Sequence, residues 1–127
     1  MNVFLGLHHV SVVVRDTARS LAFYRDVVGL EPVADRPDLG YPGAWLQVGR
    51  QQVHLLELPS VDPVDGRPAH VGRDRHAAFQ VSGVDALEQR LSAAGVAFTR
   101  SRSGRRAIFC RDPDGNGLEF IEVVGGG

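Results

Sequence analysis

The chain of 127 residues is long enough for one compact domain, or for two small half-domains that share a core. Hydrophobic residues make up 43% and charged residues 23%, which is typical of a soluble globular protein, and the net charge of −1 gives no case for binding nucleic acid or a membrane surface. All 14 basic residues are arginine, which excludes lysine-centred chemistry, and the single cysteine, Cys110, excludes an intramolecular disulfide.

Residues 1–10 do not resemble a signal peptide, because they contain no basic region and two histidines interrupt their apolar run. No window of the sequence approaches the roughly 20 apolar residues of a membrane span. We therefore expect a cytoplasmic protein. Cys110 lies in a predicted strand, where we expect it to be a small buried apolar group.

The first half of the chain begins with a β-branched run, His9–Val14, which predicts a buried strand. Asp16 or Thr17 is expected to cap a helix whose apolar positions are spaced at the helical period and which ends at Gly29. Strands are predicted at 30–34, 44–48 and 52–58, with a loop at 35–43 and a hairpin turn at Gly49 and Arg50.

Residues 59–75 form the longest irregular segment, with three prolines and two glycines. A loop of this length is more often functional than accidental, and it also suits a linker between halves. The pattern then starts again with a strand, His76–Val81. A capping-box pattern, Asp85 to Glu88, opens a helix that ends at Gly95, and strands follow at 97–100, 106–111 and 117–123.

Each half therefore reads strand, helix and then three strands, and such a repeat fixes the architecture. The distance from His9 to Gly29 is 20 residues, and that from His76 to Gly95 is 19. The step of 43 residues from His76 to Glu119 corresponds to 45 residues from His9 to His54. Each half thus offers one potential metal ligand at the start of its first strand and one in its last strand.

Glu119 lies in an otherwise apolar strand, where a carboxylate is costly unless it is paired. A pseudo-twofold axis between the halves would bring four ligands around one point: His9, His54, His76 and Glu119. Such a set suits a divalent ion of zinc, iron, manganese, nickel or cobalt. Because strand residues alternate between faces, the repeat selects His54 over Glu57 and Glu119 over Glu122.

Three neutral histidines and one carboxylate would leave a divalent ion with a net charge of about +1, which favours an anionic substrate bound through two vicinal oxygens. His8 should face away from His9 and be structural, and His70 should be a surface residue.

Tyr41 and Trp45 are candidates for the cavity wall, although aromatic core packing is at least as good an account of Trp45. Arg75 precedes the second predicted ligand strand, and Arg105 belongs to a run of arginines in the hairpin before the last strand. Such arginines form either a solvated face or a site for an anionic substrate group.

The sequence resembles the vicinal oxygen chelate superfamily, which includes glyoxalase I, methylmalonyl-CoA epimerase, extradiol dioxygenases, and the fosfomycin and bleomycin resistance proteins. The resemblance covers nearly the whole chain and rests on four stretches: LHHVSVVVRD at 7–16, SLAFYRDVVGL at 20–30, HAAFQV at 76–81 and DPDGNGLE at 112–119. It implies an α+β fold in which two paired βαβββ modules form a cupped, mostly antiparallel sheet. The whole chain, 1–127, would be one such domain, with module 1 at about 5–58, module 2 at about 76–124 and the loop 59–75 between them.

In many relatives the modules pair across a dimer, so the resemblance also implies a homodimer with a small-molecule substrate. His9, His76 and Glu119 match the most regular metal positions of the family. His54 occupies the place where glyoxalase I has a glutamate, which weakens a strict assignment as a methylglyoxal-detoxifying enzyme.

Three functions follow from these features. The first is a metal-dependent lyase or isomerase of the glyoxalase type, in which Glu119 moves the proton. The second is an extradiol-type dioxygenase with iron held by His9, His76 and Glu119. The third is a drug-binding resistance protein without chemistry, which the complete ligand set argues against, and a fosfomycin-type thiol transferase is a minor fourth.

Overall fold

The structure is a computed structural model that describes residues 3–123. Its first half contains β1 (His9–Val14), α1 (Thr17–Phe23), a turn of π-helix (Tyr24–Val28), β2 (Glu31–Pro32), β3 (Gly43–Val48) and β4 (Gln51–Glu57). After a short 3-10 turn (Val71–Arg73), its second half contains β5 (His76–Val81), α2 (Val84–Ala93), β6 (Phe98–Arg100), β7 (Ala107–Arg111) and β8 (Gly117–Glu122). The predicted order of one strand, one helix and three strands in each half is confirmed.

The strands form two four-stranded sheets with the same topology, β1-β4-β3-β2 and β5-β8-β7-β6. In each sheet the first and last strands of the half are parallel neighbours, and the other pairs are antiparallel. The α+β fold of two βαβββ modules is therefore confirmed. β2 is shorter than the predicted 30–34 because Pro32 has no N–H to donate to a ladder.

The two helices begin in different ways. Asp16, rather than Thr17, caps α1, since its carboxylate accepts a hydrogen bond from the backbone N–H of Arg19 at 3.1 Å. The predicted capping box at the start of α2 is wrong, because the helix begins one residue earlier, at Val84, after Gly83. The carboxylate of Glu122, on β8, accepts the hydrogen bond from the Val84 N–H instead.

One apolar cluster joins the two halves, with members from both helices and both sheets. At its centre the fully buried Tyr24 donates a hydrogen bond of 2.7 Å to Asp112, and burial raises the pKa of this phenol well above its ordinary value. The Asn116 side chain donates to the Val13 carbonyl oxygen at 3.2 Å. The turn 112–116 thus connects the second half to α1 and β1.

Cys110 lies in this core with 2% of its surface exposed, as predicted, and burial raises its pKa to about 12. Its thiol is therefore protonated at neutral pH and unsuited to nucleophilic chemistry. Between residues 3 and 123, the helices are all too short or too polar to cross a membrane. The limits of the two modules stay predictions, and residue 124 lies outside the described residues.

Candidate metal centre

The first pair of predicted ligands forms an aromatic stack on one face of the first sheet. The ring of His54, on β4, lies parallel to that of His9, on β1, with centroids 4.0 Å apart. Its other face lies against Trp45, the residue opposite it on β3, at 4.2 Å. Trp45 therefore belongs to the surroundings of the predicted ligands, whereas core packing had been an equal alternative.

Hydrogen bonds define the protonation of these imidazoles. The Nε2 of His54 lies 2.8 Å from the Gln52 amide oxygen, which can only accept, so Nε2 carries the proton and Nδ1 keeps its lone pair. Burial, followed by the nearby His9, lowers the pKa of His54 and favours the neutral imidazole that metals bind. The Nδ1 of His9 lies 2.9 Å from the Nδ1 of His8, contrary to the expectation that His8 faces away.

The second pair of predicted ligands joins β5 to β8. The Nε2 of His76 lies 2.9 Å from a carboxylate oxygen, Oε1, of Glu119. Glu119 is buried, with 4% of its surface exposed, and its Oε2 accepts a hydrogen bond of 3.3 Å from Arg105. The carboxylate that looked costly in the sequence thus has two partners. Phe109, opposite Glu119 on β7, lies edge-on to the His76 ring.

His76 is oriented by the backbone two residues before it. Its Nδ1 lies 2.8 Å from the Asp74 carbonyl oxygen, which can only accept, so Nδ1 is protonated. The lone pair of a neutral His76 is then on Nε2, facing the Glu119 carboxylate. Two acceptors at this distance need a cation between them, either a proton or a metal ion, and their separation suits two ligands about 2.1 Å from one ion.

The glutamates three positions after His54 and Glu119 lie on the opposite face of their strands. Glu57 accepts a hydrogen bond of 2.7 Å from the Thr17 N–H at the start of α1. Glu122 accepts one of 3.1 Å from the Val84 N–H at the start of α2. Both carboxylates therefore satisfy backbone donors at helix starts. This geometry supports the prediction that Glu57 and Glu122 are not ligands.

The structure brings the four predicted ligands together as two pairs and not as one cluster. Within residues 3–123 of a single chain, no group of three or more histidine, cysteine, aspartate or glutamate side chains is arranged to hold a metal ion. A cavity of about 430 Å³ lies near the ends of β1 and β4, and none of the four predicted ligands lines it. Each pair would supply half of the predicted site. We call His9 and His54 the first half-site, and His76 and Glu119 the second half-site.

The four predicted substrate-binding residues do not all lie near the predicted ligands. Trp45 and Arg105 touch predicted ligands, whereas Arg75 pairs with Asp62 at 3.0 Å in an exposed position. Tyr41 lies under the guanidinium of Arg36. His70, expected at the surface, is bonded to Thr99 and lies edge-on to Phe109.

Sequence reasoning missed Phe109 and Arg36. The repeat could have revealed Phe109, because it occupies the place in β7 that Trp45 occupies in β3, opposite the predicted ligand of the last strand. Arg36 lies in the irregular loop between β2 and β3, which is longer than its counterpart between β6 and β7, so no periodic pattern of the sequence pointed to it.

Comparisons with known proteins identify the family. A model of the Glyoxalase/Bleomycin resistance protein/Dioxygenase superfamily matches residues 6–120. The chain is 31% identical over 120 residues to Glyoxylase I 4 of Arabidopsis thaliana, covering 91% of this chain and 69% of that protein. It is 30% identical over 125 residues to the lactoylglutathione lyase of Haemophilus influenzae, with 90% of each chain covered.

Among solved structures, a glyoxalase family protein from Bacillus anthracis has a TM-score of 0.80 and 26% identity, covering 96% of this chain and 98% of that one. The match to the family model extends over almost the whole chain. The chain belongs to the Glyoxalase/Bleomycin resistance protein/Dioxygenase superfamily, as the sequence motifs predicted.

Proposed function

We propose that this protein is a metal-dependent lyase or isomerase of the glyoxalase type, acting on a small substrate that is chelated through two vicinal oxygens. The observation that carries the proposal is the pairing of the His76 Nε2 with the buried Glu119 carboxylate at 2.9 Å, where a metal ion could replace the proton between two groups that both bind metals. A second pair, His9 and His54, occupies the equivalent strands of the other half. Together they supply the donor set of a divalent ion.

The proposed site is completed by a second copy of the chain. β1 and β5, which carry His9 and His76, are edge strands, each with a single neighbour among the described residues. Edge strands have unpaired backbone groups that favour association with another strand. A homodimer in which β1 of one copy faces β5 of the other would bring the first pair of one chain to the second pair of its partner.

A divalent ion in such a site would polarise the two substrate oxygens as a Lewis acid. Glu119 is the only carboxylate in the proposed ligand set and is therefore the group that would take and return a proton of the substrate. Arg105 holds the Oε2 of Glu119 at 3.3 Å, so it would orient this carboxylate. His54 would add a neutral ligand because burial lowers its pKa.

The decisive experiment mixes two inactive variants, His9→Ala and Glu119→Ala. Each variant alone should lose tight metal binding, because each homodimer would lack one ligand in both sites. After the subunits are exchanged, the heterodimer would contain one doubly defective site and one intact site. With random exchange, about a quarter of the wild-type metal content should return, as measured by elemental analysis after dialysis.

A matched mixture of His76→Ala and Glu119→Ala is the control, because both changes affect the same half-site and no intact site can form. Recovery in this control, or none in the first mixture, would contradict the shared site. A wild-type protein that binds no divalent metal after reconstitution would contradict the enzyme proposal as a whole. Retained ligand binding in such a protein would instead favour a drug-binding resistance protein.

The stacking of His9 on His54 favours a second candidate, an extradiol-type dioxygenase. Two rings 4.0 Å apart and inclined by only 16° cannot both direct in-plane lone pairs at one ion, so His9 must rotate if both are ligands. If His54 stays stacked on Trp45, the set that remains is two histidines and one carboxylate, which suits non-haem iron. Oxygen consumption by the Fe(II)-loaded protein with catechols tests this candidate, and none across a panel of catechols would reject it.

A further inference from the structure

Arg36 differs from most arginines of the chain because no acidic partner lies near it among the described residues. Between residues 3 and 123, carboxylates lie within 4.0 Å of many arginines: Arg19, Arg25, Arg67, Arg75, Arg100, Arg105, Arg106 and Arg111. Arg36 is half-buried, and its one hydrogen bond is donated by a terminal nitrogen to the Tyr41 carbonyl oxygen at 3.0 Å. Its Nε is buried and has no acceptor.

The guanidinium of Arg36 lies on the same face of the first sheet as the predicted ligands. A Cβ on Gly43 would meet the Leu55 carbonyl oxygen first and would lie 3.0 Å from a terminal nitrogen of Arg36, so the guanidinium lies against this glycine. Gly43 and Trp45 are two residues apart in β3 and therefore share a face. Trp45 in turn stacks on His54. Arg36 is thus next to the aromatic stack that contains the first pair of ligands.

A guanidinium in this state is ready to bind an anion. Its five N–H groups form a planar fork that matches the two oxygens of a carboxylate or phosphate, and only one acceptor uses it here. The guanidinium carbon of Arg36 lies over the ring of Tyr41, 5.4 Å from its centroid. This cation–π contact does not neutralise the charge of Arg36. Leaving a half-buried charge without a counter-ion is unfavourable, so an added anion would be stabilised.

The two half-sites differ in how their arginines are paired. The face of the first half-site combines the stacked imidazole of His54 with a guanidinium that has no carboxylate partner among the described residues. The second half-site already holds its carboxylate with Arg105.

We propose that Arg36 binds an anionic group of the substrate, a carboxylate or a phosphate, beside the two oxygens that chelate the metal. This inference rests on the proposed function, because it assigns the part of the substrate that does not touch the ion. It predicts a substrate class of small chelating molecules with one further negative charge.

The test uses two probes that differ only in this charge, catechol and 3,4-dihydroxybenzoate. Both present two vicinal oxygens, and only the second carries a carboxylate. Their dissociation constants are measured from the visible spectrum of the cobalt(II)-loaded dimer. The wild-type protein should bind 3,4-dihydroxybenzoate about tenfold or more tightly than catechol, the gain expected from a charge-assisted hydrogen bond.

Arg36→Met should remove this preference while catechol binds as before, and Arg36→Gln serves as a second neutral variant if the first does not fold. Arg36→Lys should retain part of the preference. The matched control is Arg50→Met, an exposed arginine at the turn between β3 and β4, which should leave both constants unchanged.

An equal affinity of the wild-type protein for the two probes would overturn the assignment, as would a preference that survives in the neutral variants. Equal weakening of both probes in a folded Arg36→Met protein would also overturn it, since Arg36 would then only support the fold. Failure of the metal-loaded wild type to bind even catechol would overturn the proposed chelating function itself. The neutral probe thus separates the two failures.

Discussion

The two half-sites occupy equivalent strands but are built from different chemistry. The first consists of three stacked rings, Trp45, His54 and His9, and contains no carboxylate. The second contains a buried carboxylate, Glu119, held between His76 and Arg105. The two halves therefore share the geometry of their strands, but only the second half-site contains a carboxylate. We infer that the second half-site supplies most of the attraction for a cation.

The halves also differ in how firmly their first histidine is oriented. Two residues before His76 lies Asp74, whose carbonyl oxygen accepts from the imidazole and whose carboxylate accepts from Arg67 at 2.7 Å and Arg111 at 2.9 Å. The equivalent position before His9 is Leu7, and within residues 3–123 the His9 ring is hydrogen-bonded only to the exposed His8. His76 is thus oriented by the fold, whereas His9 is held only by His8 and by its stacking on His54.

The largest effect is expected from Glu119→Gln, which keeps the size of the side chain and removes the only charge of the proposed ligand set. Zinc affinity should fall by at least about a hundredfold, since loss of a residue that merely supports a ligand already reaches this range. Competition with a chromophoric chelator measures it. The change tests directly whether the charge of the second half-site dominates.

Glu122→Gln is the matched control on the same strand. Glu122 accepts the first N–H of α2 and pairs with Arg106 at 2.9 Å, so its loss should lower the free energy of unfolding and leave zinc affinity unchanged. If the two variants lose zinc affinity equally, the assignment of faces in β8 is wrong. If neither loses it, the carboxylate is not a ligand and the contrast between the half-sites has no functional meaning.

A smaller effect is expected from Asp74→Ala, which frees Arg67 and Arg111 and loosens the backbone that orients His76. Zinc affinity should decrease about ten- to a hundredfold, the usual cost of losing such support. In ¹⁵N NMR spectra of the zinc-loaded protein, the Nδ1 proton of His76 should exchange faster with solvent than in the wild type. This second measurement separates loss of orientation from general destabilisation.

Glu88→Ala provides the comparison, because it removes an ion pair with Arg100 that has no connection to either half-site. It should alter neither zinc affinity nor the His76 resonance. An Asp74→Ala protein that binds zinc as tightly as the wild type would show that His76 needs no such support, and that the two first histidines are equivalent after all.

The sequence was sufficient to predict the fold because the internal repeat and the family resemblance agreed on it. The bounds of β1 and β5 were predicted to the residue, and the repeat fixed the order of the remaining elements. The prediction that β1 is a buried strand is wrong for its first three residues, which are exposed at the edge of the sheet. Errors arose where a tertiary contact decides a local structure. The start of α2 is an example, since its first N–H is satisfied by Glu122, which lies 38 residues later in the chain.

For the candidate site, the equal spacing in the two halves predicted four ligands around one point: His9, His54, His76 and Glu119. The structure brings them together as two pairs, because neighbouring parallel strands join His9 to His54 and His76 to Glu119. Trp45 and Arg105 were also predicted near the ligands, and both contact them. The side chains that orient them lie in irregular segments. Asp74 is at the end of the long loop and Arg36 is in another, so no periodicity of the sequence reports their contacts.

The smallest effect is expected in the pH dependence of the free energy of unfolding, to which the two halves contribute differently. The guanidinium of Arg67, with help from Arg111, lowers the pKa of Asp74 from 3.8 to about 2. Because this pKa is lower in the folded state than in the unfolded state, the ionised carboxylate stabilises the fold above about pH 4, and the contribution disappears as the pH falls towards 2. Urea unfolding of the metal-free protein should therefore show that Asp74→Asn is less stable than the wild type at pH 6, with a difference that shrinks between pH 4 and pH 2. The corresponding position in the first half is Leu7, and a substitution there offers no such pH dependence because leucine does not ionise. A constant difference across this range would mean that Asp74 is held by packing, and that the orientation of His76 does not depend on its charge.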